Sequence, residues 1–261
     1  MFQLSEIPTE IAVFIATHKS FQRPEGHVFV PLQLGNQPEN LGYLRENQLD
    51  NIADKNPYFC ELTALYFLWK NVHTPVIGLV HYRRYFAKKR NIVQRRINQL
   101  AYLLGLVPKQ QTSRHTILTS DEIQQLWQNS QADLIAPAGV DLDTSLYDNY
   151  NQNHHIQDWH IVKQIVEEKA PQYSLTIAKV EQNCILYPYN MFIGKKEIIN
   201  DYCEWLFDIL FEAEKKIDCS QYDSYNQRVF GFLAERLFTA WIVHNQNKYK
   251  IKHVPVQRVQ T

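Results

Sequence analysis

Short apolar runs alternate along the chain with longer stretches in which apolar residues return every three or four positions, the pattern of strands and helices in succession. Glu10 to Thr17 (EIAVFIAT) is apolar at consecutive positions, short and rich in β-branched residues, which predicts a strand buried on both faces. Val28 to Leu34 (VFVPLQL) predicts a second strand, with Pro31 marking an edge or a bulge because proline donates no ladder hydrogen bond. Val76 to Val80 and Ala132 to Ala136 predict two more, Met191 to Ile193 a short one, and IKHVPVQRV a closing strand.

Between these runs the period changes. In PYFCELTALYFLWKN, Phe59, Leu62, Leu65, Tyr66 and Trp69 share one helical face, and Pro57 suits a first helical turn. Ile92, Val93, Ile97, Leu100, Leu103 and Leu104 form another stripe, with Lys88, Lys89, Arg90, Arg95 and Arg96 crowding its start. Further helices are expected from Thr119 through Trp127, His155 to Ala170, Glu197 to Ile217 and Asp223 to His244, while 36–56 and the segment up to Asn153 read as polar loops. This order implies an α/β fold with a mainly parallel central sheet flanked by helices. With no repeat and no low-complexity linker, a single domain over 1–261 is the simplest division.

Composition narrows the function. Lys+Arg and Asp+Glu both number 27, so no global field draws the chain to nucleic acid, and any anion site has to be local. The 15 tyrosines offer apolar faces with polar edges, which suit sugar rings as well as cores. Cys60, Cys184, Cys203 and Cys219 form no CxxC pair and read as free thiols in a reducing compartment. The first residues lack the basic start and cleavage site of a signal peptide, and no apolar run reaches the roughly 18 residues of a membrane span. The cytoplasm is the expected location.

In an open α/β sheet, ligands sit beyond the carboxyl ends of the strands. Two predicted strands end in polar peptides, His18-Lys19 and His81-Tyr82-Arg83-Arg84-Tyr85, which would converge on one rim. Arginine binds phosphate bidentately, so a diphosphate site stands against the plainer reading of surface arginines paired with carboxylates. Asp141-Leu142-Asp143 has the spacing to ligate Mn or Mg and equally that of an Asx turn. His154, His155 and Asp158 stand three and four residues apart at a helix start, where they could deprotonate a hydroxyl, cap the helix or bind zinc. Asp50 and Asn51, in a polar loop, could bond a ribose or base edge, whereas Glu61 falls near a helix N-terminus that favours it anyway. The basic stretch 88–107 fits either a core helix with a cationic face or peripheral contact with the inner face of an anionic membrane.

The peptides LGYLRENQLDNIADKNPYFCELTALYFLWKN, IGLVHYRRYF, YNMFI, EWLFDILFE and YNQRVFGFLAERLFTAWI resemble, in order and from about Ala12 to Trp241, a bacterial family of capsular and exopolysaccharide biosynthesis glycosyltransferases, domain of unknown function 4422. The resemblance implies a GT-A-like fold, a UDP-sugar donor carrying a hexose of galactose type, and a capsule, exopolysaccharide or lipopolysaccharide glycan acceptor, free or lipid-linked. Such folds hold the donor diphosphate through a metal on Asp-x-Asp at a strand end; here HYRRYF stands at the comparable place, so Arg83 and Arg84, with Lys19, are expected to take the metal's role. His18, Asp50, Asn51, His81, Tyr85 and Asn190 are assigned to the donor and His154 and Arg228 to the acceptor. His155, Asp158 and Asp223 are the candidate catalytic groups. Relative to the family, 88–118 reads as an insertion. Two other readings stay open: a metal-dependent hydrolase built on the histidines, and a non-catalytic glycan-binding module.

Overall fold

The computed structural model describes residues 4–88 and 117–260. Nine strands form one sheet, whose main path runs β10-β6-β9-β4-β1-β2-β3. At its centre β1 (Ile11–Thr17) lies parallel to β2 (Phe29–Gln33) and β4 (Val76–His81). Short β3 (Leu44–Arg45) extends β2 in parallel, and β10 (Ile251–Val254) runs parallel to β6 (Leu134–Pro137). β9 (Phe192–Lys195) is antiparallel to both β4 and β6 and so sets those two strands in the same direction. The mainly parallel sheet flanked by helices expected from the sequence is therefore present.

The consecutive apolar residues of β1 divide between two cores. Ala12, Phe14 and Ala16 face one cluster, and Ile11, Val13 and Ile15 the other. The first cluster is covered by α2 (Leu62–Asn71), α5 (Ile156–Lys169), α7 (Lys196–Lys216) and α8 (Val229–Asn245). The second is covered by β5 (Arg84–Phe86) and α3 (Ser120–Ser130), whose start is fixed by a reciprocal cap between Thr119 and Glu122. Pro31 needs no ladder donor toward β3, because β3 pairs only with Leu32 and Gln33.

Four details depart from the expectation. The helix beginning at Pro57 is two helices, α1 (Asn56–Phe59) and α2, broken where Cys60 adopts φ 52°. The polar segment before Asn153 contains α4 (Leu146–Asn153), capped by Ser145, and a two-stranded ribbon of β7 (Val140–Asp141) with β8 (Ile185–Leu186). After Pro171 the chain turns again into α6 (Ser174–Gln182). The helix expected from Asp223 starts only at Val229, because the Asp223 carboxylate caps a turn by accepting from the amides of Tyr225 and Asn226, each at 2.8 Å.

The closing strand also divides, at Pro255, into β10 and β11 (Val256–Arg258), and β11 pairs antiparallel with β5. The basic stretch 88–107 and its membrane reading lie, apart from Lys88, outside the described residues; Lys88 pairs with Glu122 at 2.7 Å. Among the described residues no helix is long and apolar enough to cross a membrane.

Candidate functional site

β4 ends at His81, turns through Tyr82 and Arg83, and returns as β5 with Arg84 opposite His81. Backbone bonds fix this hairpin on both sides, from Tyr82 N to Ala16 O at 3.2 Å and from Val259 N to Arg83 O at 2.9 Å. The end of β1 is fixed as well: Thr17 Oγ1 donates to Lys19 O at 2.6 Å and accepts from Lys19 N at 3.2 Å. Tyr82 gathers the cations. His18 meets its ring edge-on with centroids 5.2 Å apart, the Arg83 guanidinium lies 4.9 Å from the ring centroid, and Lys19 Nζ lies 5.7 Å from it.

Beyond the carboxyl ends of β1 and β4 lies a cleft of about 540 Å3, lined by His18, Tyr82, Arg83 and Arg84 on one side and by Asn56, Cys60, Glu61 and Arg228 on the other; Lys19 is not part of its lining. None of the ion pairs among the described residues involves His18, Lys19, Arg83, Arg84 or Arg228. Arg84 instead stacks on Tyr189, 4.5 Å from its centroid. Burial, with Lys19 and Arg83 adding to it, holds the His18 imidazole below the usual histidine range, so it enters the cluster neutral. Two other clefts, of about 540 and 560 Å3, open respectively near Lys70 and His73 and around Trp69 and Trp205, and neither contains an arginine.

The facing wall is built around the α1–α2 break. Cys60 O accepts from Asn56 Nδ2 at 2.9 Å, with Thr63 Oγ1 also 2.9 Å away, and Cys60 Sγ accepts from Arg228 Nε at 3.3 Å. Burial pushes the Cys60 thiol up to about 11, so it is protonated at neutral pH and no nucleophile. Glu61 Oε1 accepts from Asn190 Nδ2 at 2.7 Å. Asn190 and Tyr189 are consecutive residues with positive φ, 50° and 76°. Their turn is held by Tyr189 N donating to Glu235 at 2.7 Å and by His81 Nε2 at 2.8 Å from Tyr189 O. Because a carbonyl only accepts, the proton of the His81 ring sits on Nε2; burial lowers its pKa and keeps it neutral.

A second cluster lies one aromatic ring from Arg228, whose guanidinium is 5.5 Å from the Phe232 centroid. His154 stacks on the same ring at 4.1 Å. Its Nδ1 lies 3.2 Å from Asn226 Oδ1, and Asn226 Nδ2 donates to Asp223 Oδ2 at 3.0 Å. The amide of Asn226 thus links carboxylate to imidazole and leaves His154 Nε2 as the unprotonated nitrogen. Burial pushes His154 down to about 4. His155 and Asp158 do not pair with each other: Asp158 is 3% exposed and accepts from Tyr222 OH at 2.9 Å, while His155 stacks on Tyr222 at 3.9 Å.

Other sequence candidates fall elsewhere. Asp50 accepts from Tyr66 OH and, through its carbonyl, from Asn71 at the far end of α2, at the amino ends of the strands and away from the cleft. Asn51 closes an Asx turn onto Ala53 N at 3.1 Å. Tyr85 is 2% exposed and donates to Tyr82 O at 3.1 Å, which supports the hairpin from beneath. Asp141 Oδ1 accepts from Asp143 N at 3.0 Å in an Asx turn where Asp143 has φ 60°. That carboxylate is committed to its own loop, the strand end offers arginines rather than carboxylates, and the residues present do not fit Mn or Mg. Among the described residues no three His, Cys, Asp or Glu side chains are grouped to hold a metal ion. The organising ring of Tyr82 and the link through Asn226 had no sequence signal beyond their neighbours.

Residues 12–246 match the family model described as Domain of unknown function (DUF4422). Among solved structures, the chain is similar to the apo structure of WbbM, a bifunctional glycosyltransferase, with TM-score 0.81 and 28% identity over 97% of this chain and 46% of that one. The chain therefore spans less than half the length of that neighbour. No curated protein matches it.

Proposed function

Since the chain belongs to the DUF4422 family, and its sheet rim carries arginines that line a cleft and make no ion pair among the described residues, we propose that it is a glycosyltransferase taking a hexose from a UDP-sugar and passing it to a cell-surface glycan. One observation carries this reading. Arg83 and Arg84 both line the cleft at the carboxyl end of β4, in no ion pair among the described residues, in a protein of zero net charge. Such a pair attracts an anion with several oxygens, and a diphosphate supplies them in bidentate geometry. During transfer the bond between the anomeric carbon and the diphosphate breaks and negative charge grows on the leaving oxygen. Fixed guanidinium groups stabilise that charge without reorganising. His18 and Lys19 extend the same rim.

The hydrolase reading needs convergent metal ligands, and His81 is instead bound to a carbonyl while His154 is bound to Asn226. A neutral-glycan binder has no need of the arginines. The similarity to a bifunctional glycosyltransferase supports transfer chemistry in general. The acceptor falls to the Phe232 side of the mouth, where His154 Nε2 takes the hydroxyl proton.

Calorimetric titration with UDP tests the central claim. The native chain should bind it, and Arg83→Ala/Arg84→Ala should weaken binding by about a hundredfold or more, as expected for two charge-assisted bonds. An unchanged Kd in the double variant would refute the reading.

A further inference from the structure

The wall facing Arg83 and Arg84 holds a carboxylate, Glu61, as well as Arg228. Glu61 lies in the cleft at the α1–α2 break, in no ion pair among the described residues, with one oxygen bonded to Asn190. Asn190 is 2% exposed; its Nδ2 also reaches Gly231 O at 3.3 Å, and its Oδ1 has no partner among the described residues. The turn presenting it uses two successive non-glycine residues with positive φ, a costly backbone, clamped from both sides by Glu235 and His81. Strain held by buried partners marks a position that the fold maintains for a purpose other than its own stability. Its result is a buried carboxamide set behind the Glu61 carboxylate, which lines the cleft.

A phosphate has no place there. At neutral pH it brings acceptors, which the Glu61 carboxylate oxygens would repel. These oxygens call for donors, and hydroxyl groups are neutral donors that a cleft already holding Arg84 and Arg228 accommodates without adding positive charge. Arg83 and Arg84 thus stand at the end of β4 and a carboxylate acceptor stands across from them beside Arg228, and a nucleotide-sugar likewise joins an anion to a polyol.

We propose that Glu61 is the residue that receives the hexose ring of the donor, accepting hydrogen bonds from the ring hydroxyls, while the buried Asn190 acts behind it as a positioning residue that orients its carboxylate. This rests on the diphosphate lying at Arg83 and Arg84. Titrating UDP, UDP-glucose and UDP-galactose against the native chain, Glu61→Gln and Glu61→Ala separates the two ideas. The expected result is that UDP binds all three proteins within twofold, whereas the better-bound UDP-hexose weakens tenfold or more in both variants. UDP serves as the folding control in the same experiment. Equal weakening of UDP and UDP-hexose, or no weakening of either, overturns the sugar subsite and leaves the diphosphate site standing. Failure of the native chain to bind UDP overturns the diphosphate site, and the subsite falls with it.

Discussion

Replacing Glu46 by glutamine should change how the stability of the protein depends on pH, and the size of the change follows from its surroundings. Glu46 follows β3 and is fully buried; Oε1 accepts from Gly35 N at 2.6 Å and from Thr63 Oγ1 at 2.8 Å, while Oε2 has no partner among the described residues. Burial outweighs the two hydrogen bonds and raises its pKa from 4.5 to about 7. The folded protein therefore keeps a proton that the unfolded chain has already lost. The stabilising contribution of that proton is complete below about pH 4.5 and is lost as the pH rises through about 7. At about 1.4 kcal/mol per pKa unit, the loss comes to roughly 3 kcal/mol. Glutamine keeps an acceptor for Gly35 and Thr63 but does not titrate. Urea unfolding followed by tryptophan fluorescence at intervals from pH 5 to 8 should give a native curve that declines relative to that of Glu46→Gln. His18, His81 and His154, whose lowered pKa values remove stability as the pH falls below about 6.5, act equally in both proteins and cancel in the difference. Parallel curves would show that Glu46 is ionised in the folded state throughout, and the burial argument would fail.

Two further outcomes are expected. In an assay of UDP release with a glycan acceptor, His154→Ala should lower kcat by about a hundredfold or more while leaving UDP affinity unchanged, and wild-type kcat should stay level down to about pH 5 because His154 remains neutral there; full activity in the variant would remove it as the proton acceptor. Gly78→Ala would place a Cβ 2.8 Å from Ile193 Cγ1 and 2.9 Å from Phe192 O, between β4 and β9, and should cost about 1–3 kcal/mol in chemical unfolding, against an unaltered midpoint if the strands can part.

The strands could be read from the sequence because a parallel sheet covered on both faces makes every residue of β1 and β4 apolar up to the point where the chain emerges. Charges directly after such strands have to lie at the carboxyl rim, which is why His18 and Arg83-Arg84 could be brought together before any coordinates. The break at Cys60 could not be read, since neither glycine nor proline marks it and its left-handed backbone is stabilised by Asn56, Thr63 and Arg228. Nor could α4, which buries only Leu146 and Tyr150 and so has little apolar stripe. The Glu61–Asn190 pair joins residues far apart in sequence through two strained backbones, and Glu61 alone looks like any acidic residue near a helix start. Asp50 went astray for a related reason: a loop's composition does not say at which end of the sheet it folds.

The antiparallel pairing of β11 with β5 bears on when the protein becomes competent during synthesis. Residues 84–86 emerge from the ribosome roughly ten to thirty seconds before residues 256–258 at ordinary elongation rates. Throughout that interval the arginine hairpin lacks its outer strand and the backbone bond to Val259 that fixes Arg83. A nascent chain can therefore assemble much of its sheet while the arginine hairpin still lacks these backbone bonds, which form only when translation has delivered the segment that pairs with it.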